Sequence, residues 1–167
     1  MARNIVLIGF MGTGKSVVGR TLARQLNRPF VDIDRQIEHA AGRPIRKIFA
    51  EDGEPAFRQM ERAMIQRVIE TDDQVIAAGG GAVMDESNWL ALKRRGWLVW
   101  LKADPDVILQ RIGDVRNRPL LNVEDPRGRV GDLLTLREAA YAKADVVVDT
   151  TNRSVDQVVG EIFRLLP

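Results

Sequence analysis

Cysteine is absent from the sequence, so neither a disulfide framework nor a thiolate metal site can form, and nothing in the chain calls for an oxidising compartment. Histidine occurs once, as His39; with no identified partner it carries no expectation of catalysis and reads as a surface residue of a helix. Long apolar runs are missing too. Met-Ala-Arg-Asn leads straight into a short apolar strand, without the segment that a signal peptide or membrane span needs, so a cytoplasmic location without membrane attachment is expected. Neither sign of charge dominates: 25 lysines and arginines against 23 acids leave a formal charge of +2, too small to argue for nucleic acid as a partner. Internal repeats and low-complexity tracts are not found, and no N-K-x-D segment is present to read guanine.

What remains is an ordinary globular composition, 45% hydrophobic and 29% charged, which suits one domain over residues 1–167. Its most informative stretch is GFMGTGKS, residues 9–16, which fits the phosphate-loop pattern G-x-x-x-x-G-K-[ST]. The apolar run Ile5, Val6, Leu7, Ile8 enters it and the helix-compatible SVVGRTLARQL leaves it, so strand, loop and helix follow in the required order. The glycines let the main chain approach an anion closely. Lys15 offers a compact charge to the β- and γ-phosphates, and the Ser16 hydroxyl is placed to ligate Mg²⁺ at a helix N-terminus.

Further strands are expected at PFVDI, QVIAA, WLVWLK and VVVDT, with helices between them. That alternation predicts an α/β fold of three layers, α/β/α, around a five-stranded parallel sheet. Asp32 and Asp34 fall at the C-terminal end of the second strand, where open α/β sheets bind ligands. Two apart in an extended segment, they share a side and could both face the phosphate loop, one supporting a metal and one meeting a substrate hydroxyl; alternatively, Asp34 caps the following helix. In the helix EPAFRQMERAMIQRVIE, the spacing of Phe57, Met60, Met64 and Val68 predicts the core face, and Arg58 and Glu61 stand three apart, so Glu61 can orient the guanidinium; alternatively, the two form a surface ion pair. Gly79, Gly80 and Gly81 end the third strand and suggest close approach of a ligand to the backbone. Trp89, Trp97 and Trp100 read as packing residues. Between residues 103 and 142 there are six arginines and no lysine, a bias that suits forked recognition of phosphate or carboxylate. Within that region, residues 113–131 lose apolar periodicity and predict a lid, whose arginines would swing onto a transferring phosphate and exclude water. The helix LLTLREAAYAKA is expected after it.

With these pieces placed, the whole chain resembles the shikimate kinase family, within the nucleoside-monophosphate-kinase-like P-loop proteins. The phosphate loop, VDID, IFAEDGEPAFRQME, the three glycines, NRPLL and LREAAYAKAD occur in that family's order. The resemblance implies a P-loop kinase fold with a mobile lid at about residues 113–131 and substrate-binding helices at about 34–61. It implies ATP-dependent phosphorylation of the 3-hydroxyl of shikimate, a step of chorismate and aromatic amino acid biosynthesis, by a monomer that uses Mg²⁺. ATP would lie on Gly12, Thr13, Gly14, Lys15, Ser16 and Val17, with Arg111 and Arg153 flanking the adenine. Ser16 would ligate the metal and Asp32 would support it through water. Arg118 would meet the transferring phosphate, sharing the chemistry with Lys15 and Asp34. Arg58, Gly80 and Arg137 would hold the substrate carboxylate beside Gly79 and Gly81, Asp34 would face the ring hydroxyls, and Phe49 and Phe57 would line the pocket. One departure stands out: Ala77 and Ala78 occupy the strand end where many members carry a serine or threonine, so a hydroxyl aid to the metal shell is missing. The rival readings are another small-molecule or nucleotide kinase of this fold, opposed by the block around Arg58, and a non-catalytic ATP-binding module, opposed by the intact set Lys15, Ser16, Asp34 and Arg118.

Overall fold

A computed structural model describes residues 3–167. Five parallel strands, β1 (Asn4–Ile8), β2 (Phe30–Asp32), β3 (Val75–Ala77), β4 (Gly96–Lys102) and β5 (Val146–Asp149), form one sheet in the order β2-β3-β1-β4-β5. β1 is central, pairing Ile5 with Val75 on one side and with Trp97 on the other. Its side chains alternate between two cores: Ile5 and Leu7 join one apolar cluster, Val6 and Ile8 the other, as period-two geometry requires of a strand covered on both faces. The first cluster packs under α1 (Lys15–Leu26) and α8 (Val155–Leu165), through Leu22 and Ile162 among others. The second lies under α2 (Ile33–Ala41), α3 (Ile45–Asp52), α4 (Glu54–Val68) and α5 (Glu86–Arg95), through Ile37, Ile48, Ile65 and Leu92. The result is the expected α/β/α layering with all strand C-termini on one edge. None of the described helices is long and apolar enough to cross a membrane.

Three expectations are corrected. β2 is shorter than PFVDI, because Ile33 already belongs to α2. On α4 Phe57 is buried and Met60, Met64 and Val68 pack partly buried against the same core, as expected, but the buried stripe also holds Glu61, between Phe57 and Ile65. A carboxylate therefore stands in the middle of the apolar stripe, against the assumption that charged residues point outward.

The third correction concerns residues 113–131. Only the first part is irregular, with a short 3-10 turn at Val115–Asn117, before α7 (Pro126–Tyr141) begins. Asp125 caps that helix by accepting from the Gly128 N–H at 3.0 Å, and Pro126 follows in the first turn. The same Asp-Pro start precedes α6 (Pro105–Ile112), where a missing proline N–H costs nothing. Gly128 and Gly131 dilute the apolar periodicity and hide the helix in the sequence. Gly128 is needed because a Cβ there would lie 2.2 Å from Asp125 Oδ2. Fully buried Leu121 and Val130 join Phe10 and Ile108 in a third apolar cluster, which fastens this region beside the phosphate loop.

Candidate active site

The loop after β1 turns through positive φ at Gly9 (139°), Gly12 (79°) and Gly14 (95°), and α1 starts at Lys15 immediately afterwards. A Cβ at Gly9 would sit 2.3 Å from the Leu101 carbonyl oxygen, so the loop is pressed against the end of β4. Thr13 is buried, and its hydroxyl donates to the Phe10 carbonyl at 2.7 Å. Lys15 Nζ donates to the carbonyls of Gly9 at 2.8 Å and Phe10 at 2.9 Å, so the lysine lies along the inside of the loop. Burial pushes its ammonium down to about 8, Asp34 and Asp32 pull it up, and Arg118 and Arg137 push it further down. Lys15 thus shares one field with the charged groups of the adjoining cleft. Val17, in contrast, is exposed on α1.

A cleft of about 530 Å³ opens along the C-terminal edge of the sheet. It brings together Ser16, Asp32, Asp34, Arg58, Arg118 and Arg137, with Gly79, Gly80 and Gly81 on one wall and Phe49 and Phe57 on another. The two rings stand 5.0 Å apart between centroids. Of the predicted residues, Arg118 comes from the segment before α7 and is exposed, while Arg137, on α7, is 4% exposed.

The paired aspartates reach the cleft by a different route from the one expected. Asp32 ends β2 and is the N-cap of α2, accepting from the Arg35 N–H, whereas Asp34 lies in the first helical turn. The change from strand to helix between them, rather than alternation along a strand, sets their directions. The capping role falls to Asp32, which also accepts the Ser16 hydroxyl at 2.5 Å. Asp34 Oδ1 is buried without a hydrogen-bond partner. Burial pushes its carboxyl up to about 6; Glu61 and Asp32 add to the rise and Lys15 opposes it. An unsatisfied buried acceptor of this kind is matched by a hydroxyl donor.

Because folding raises this proton affinity above the ordinary 3.8, the contribution of Asp34 to stability is fully present below about pH 4 and is lost as pH rises through about 6. Asp34→Asn is accordingly expected to unfold at a higher temperature than the parent above pH 6 in metal-free buffer, with the gap closing below about pH 4. Thermal unfolding followed by circular dichroism across that range checks it, and a constant gap would contradict the assignment.

Glu61 orients the Arg58 guanidinium as its i, i+3 spacing allows, but it does so from the interior and not from the surface. It is 1% exposed, and its Oε2 accepts from Arg58 Nη1 at 2.8 Å. Burial pushes its carboxyl up, while Arg58 and Arg137 pull it back. Its helical register, four residues from both Phe57 and Ile65, was the available signal. The glycines give this charge cluster its space. A Cβ at Gly79 would lie 2.6 Å from Glu61 Oε1 and 3.0 Å from Asp34 Oδ1, and one at Gly81 would lie 2.6 Å from Arg58 Nη2. None of the three takes a positive φ, so close approach, not backbone conformation, demands glycine here, and the charged side chains are what approaches.

Arg111 and Arg153 do not line the cleft. Arg111 donates to the Gly12 carbonyl at 3.3 Å and to Thr150 Oγ1 at 2.9 Å, tying the phosphate loop to the end of β5. Arg153 donates to the Asp149 carbonyl at 2.9 Å and pairs with Glu161 at 2.5 Å.

Among the described residues no group of three or more His, Cys, Asp or Glu could hold a metal. The adjacent oxygens of Ser16 and Asp32 form a small hard-donor set, which fits Mg²⁺ because that ion keeps several waters and substrate phosphates among its ligands. Ala77 and Ala78, buried at the end of β3, add no oxygen from their side chains.

A phosphate loop on a five-stranded parallel sheet, with an arginine-rich cleft at the strand ends, defines a P-loop phosphotransferase. The family model described as "Shikimate kinase" matches residues 11–167. A shikimate kinase of Symbiobacterium thermophilum is 46% identical over 98% of this chain and 95% of its own length. That of Caldanaerobacter subterraneus is 42% identical over 97% and 95%. The solved shikimate kinase of Acinetobacter baumannii, in complex with shikimate, superposes with a TM-score of 0.96 at 37% identity, covering 99% of this chain and 93% of its own. The chain belongs to the shikimate kinase family.

Proposed function

We propose that this protein transfers the γ-phosphoryl group of ATP to the 3-hydroxyl of shikimate, as a single domain acting as a cytoplasmic monomer, within chorismate and aromatic amino acid biosynthesis. The observation that carries the substrate assignment is the meeting of Arg58 and Arg137 at the Gly79–81 wall, across one cleft from Asp34 and Ser16. Two guanidinium forks suit a carboxylate, and the orphaned Asp34 oxygen suits a ring hydroxyl. Phe49 and Phe57 exclude water from the carbocycle. Gly12, Gly14, Lys15 and Ser16 receive the triphosphate on the loop and helix N-terminus. Arg111, which also braces Gly12, and Arg153 flank the adenine. Val17 and Thr13 contribute through the backbone, since one side chain is exposed and the other is engaged with Phe10.

Bound Mg²⁺, held by Ser16 directly and by Asp32 through water, would neutralise phosphate charge. Phosphoryl transfer passes through a loose, charge-dispersed transition state, so alignment and electrostatics dominate. Asp34 orients the attacking hydroxyl, and its raised proton affinity equips it to take the proton as the new bond forms. Lys15 and Arg118 stabilise the charge on the transferring group. The segment before α7 acts as the lid that brings Arg118 inward and shuts out water.

The test is ATP consumption with Mg²⁺ and either shikimate, gluconate, a nucleoside monophosphate or no acceptor. Shikimate is expected to be the fastest. A faster rate with another acceptor would reassign the substrate, and no acceptor-dependent consumption at all would leave a nucleotide-binding module.

A further inference from the structure

Tyr141 is the only tyrosine in the chain, it is fully buried, and its hydroxyl donates to the Gly80 carbonyl. It does not line the substrate cleft; it borders a separate cavity with Trp100 and Phe10. Its ring packs against Trp100, with centroids 5.6 Å apart. One helical turn earlier on α7, Arg137 does enter the cleft, and its Nη1 lies 3.3 Å from where a Cβ on Gly80 would be. α7 therefore holds the glycine wall with one side chain and lines the cleft with another.

The Gly80 carbonyl and the Gly81 N–H belong to one peptide unit. In a trans peptide they point in opposite directions, and no cis bond occurs among the described residues. Tyr141 holds the carbonyl and does not line the cleft, so the Gly81 N–H points away from Tyr141, and Gly81 itself lines the cleft. Among the described residues this N–H meets no acceptor. The space beside it holds Arg58, whose Nη2 would lie 2.6 Å from a Cβ on Gly81. Glycine-flanked peptides rotate easily, so without an anchor this plane would sample both orientations. Burial pushes the Tyr141 hydroxyl up, although Arg137 beside it pulls the other way, so the group stays protonated and able to donate.

We propose that Tyr141 is a positioning residue that locks the Gly80–Gly81 peptide so that the Gly81 N–H donates to the substrate carboxylate beside Arg58. The proposal rests on the shikimate assignment above, and what it adds is the side chain that aims the glycine wall's backbone.

Tyr141→Phe keeps the ring against Trp100 and removes only the hydroxyl. The variant is expected to raise the KM for shikimate about tenfold, as for loss of a hydrogen bond to a charged group, with the KM for ATP unchanged and kcat within about twofold. Against the carboxamide of shikimate, which lacks the negative charge, parent and variant should differ much less. An unchanged shikimate KM in the folded variant overturns the proposal. So does a parallel loss in kcat and in the KM for ATP, which would mark general loosening of the site. Should Tyr141→Phe fail to fold, biosynthetic 3-fluorotyrosine labels this position alone in the parent protein. Its fluorine resonance is expected to shift with shikimate more than with the carboxamide, and equal or absent shifts overturn the proposal. A parent enzyme that does not turn over shikimate would count instead against the functional assignment.

Discussion

Lys15→Ala is expected to lower kcat by about 10² to 10³-fold, the loss typical of removing one preorganised charge from a transition state, while leaving the protein folded. The lysine is the only ammonium inside the phosphate loop, and its own environment disfavours its charge: burial holds it down to about 8 despite the nearby Asp34 and Asp32. Two hydrogen bonds to the Gly9 and Phe10 carbonyls partly offset that burial. Its removal therefore relieves desolvation while giving up two contacts, and the unfolding temperature should move by no more than a few degrees, corresponding to roughly 1 kcal/mol. The kinetic and thermal measurements are made on one purified variant. Turnover near that of the parent would take Lys15 out of the mechanism.

Arg58, Arg118 and Arg137, three of the five arginines that line the cleft, are expected to fail in different ways when replaced by lysine, which keeps the charge and loses the planar fork. Arg58→Lys and Arg137→Lys should chiefly raise the KM for shikimate, by about 1.5 to 3 kcal/mol if a charge-assisted hydrogen bond is lost. Arg58 is already oriented by Glu61 at 2.8 Å, and a lysine at that position could keep the ion pair but not bridge Glu61 and a carboxylate together. Arg137 is buried, and its Nη1 is unpaired, which leaves that donor for a ligand. Arg118→Lys should instead lower kcat, since its contact strengthens as charge spreads over the transferring group. Arg118 is exposed on the segment before α7, so its replacement removes little from the fold. Steady-state kinetics of the three variants separates the roles. If Arg118→Lys left kcat intact and raised only the shikimate KM, Arg118 would belong to the substrate clamp.

The sheet and the phosphate loop were legible because each is written locally. An apolar strand, a glycine-rich turn and a helix start occupy consecutive residues at β1 and α1, and no distant contact is needed to recognise them. The Asp-Pro start of α7 was equally local, yet Gly128 and Gly131 masked it by interrupting the periodicity that a helix normally shows. The burial of Glu61 was hidden for a different reason. Its type argues for the surface, and only the packing of α4 against α2, α3 and α5 and beside the glycine wall turns that face inward.

The sequence by itself determined the chemistry available to this protein: a phosphate loop carrying one lysine and one serine, two aspartates after a strand, three consecutive glycines and a run of arginines without lysine. It also determined the parallel α/β architecture, because continuous apolar strands alternating with helices can be buried only between two helical layers. The tertiary structure decided which of those groups act on the same space. It placed Arg58, Glu61, Asp34 and Arg137 around the glycine wall although they lie up to about a hundred residues apart, and it fastened Tyr141 to that wall. It also left Asp34 short of water and of a hydrogen-bond partner, which raises its proton affinity. Such properties arise from desolvation and from fields summed over distant neighbours, and those neighbours are assembled only when the chain has closed around them.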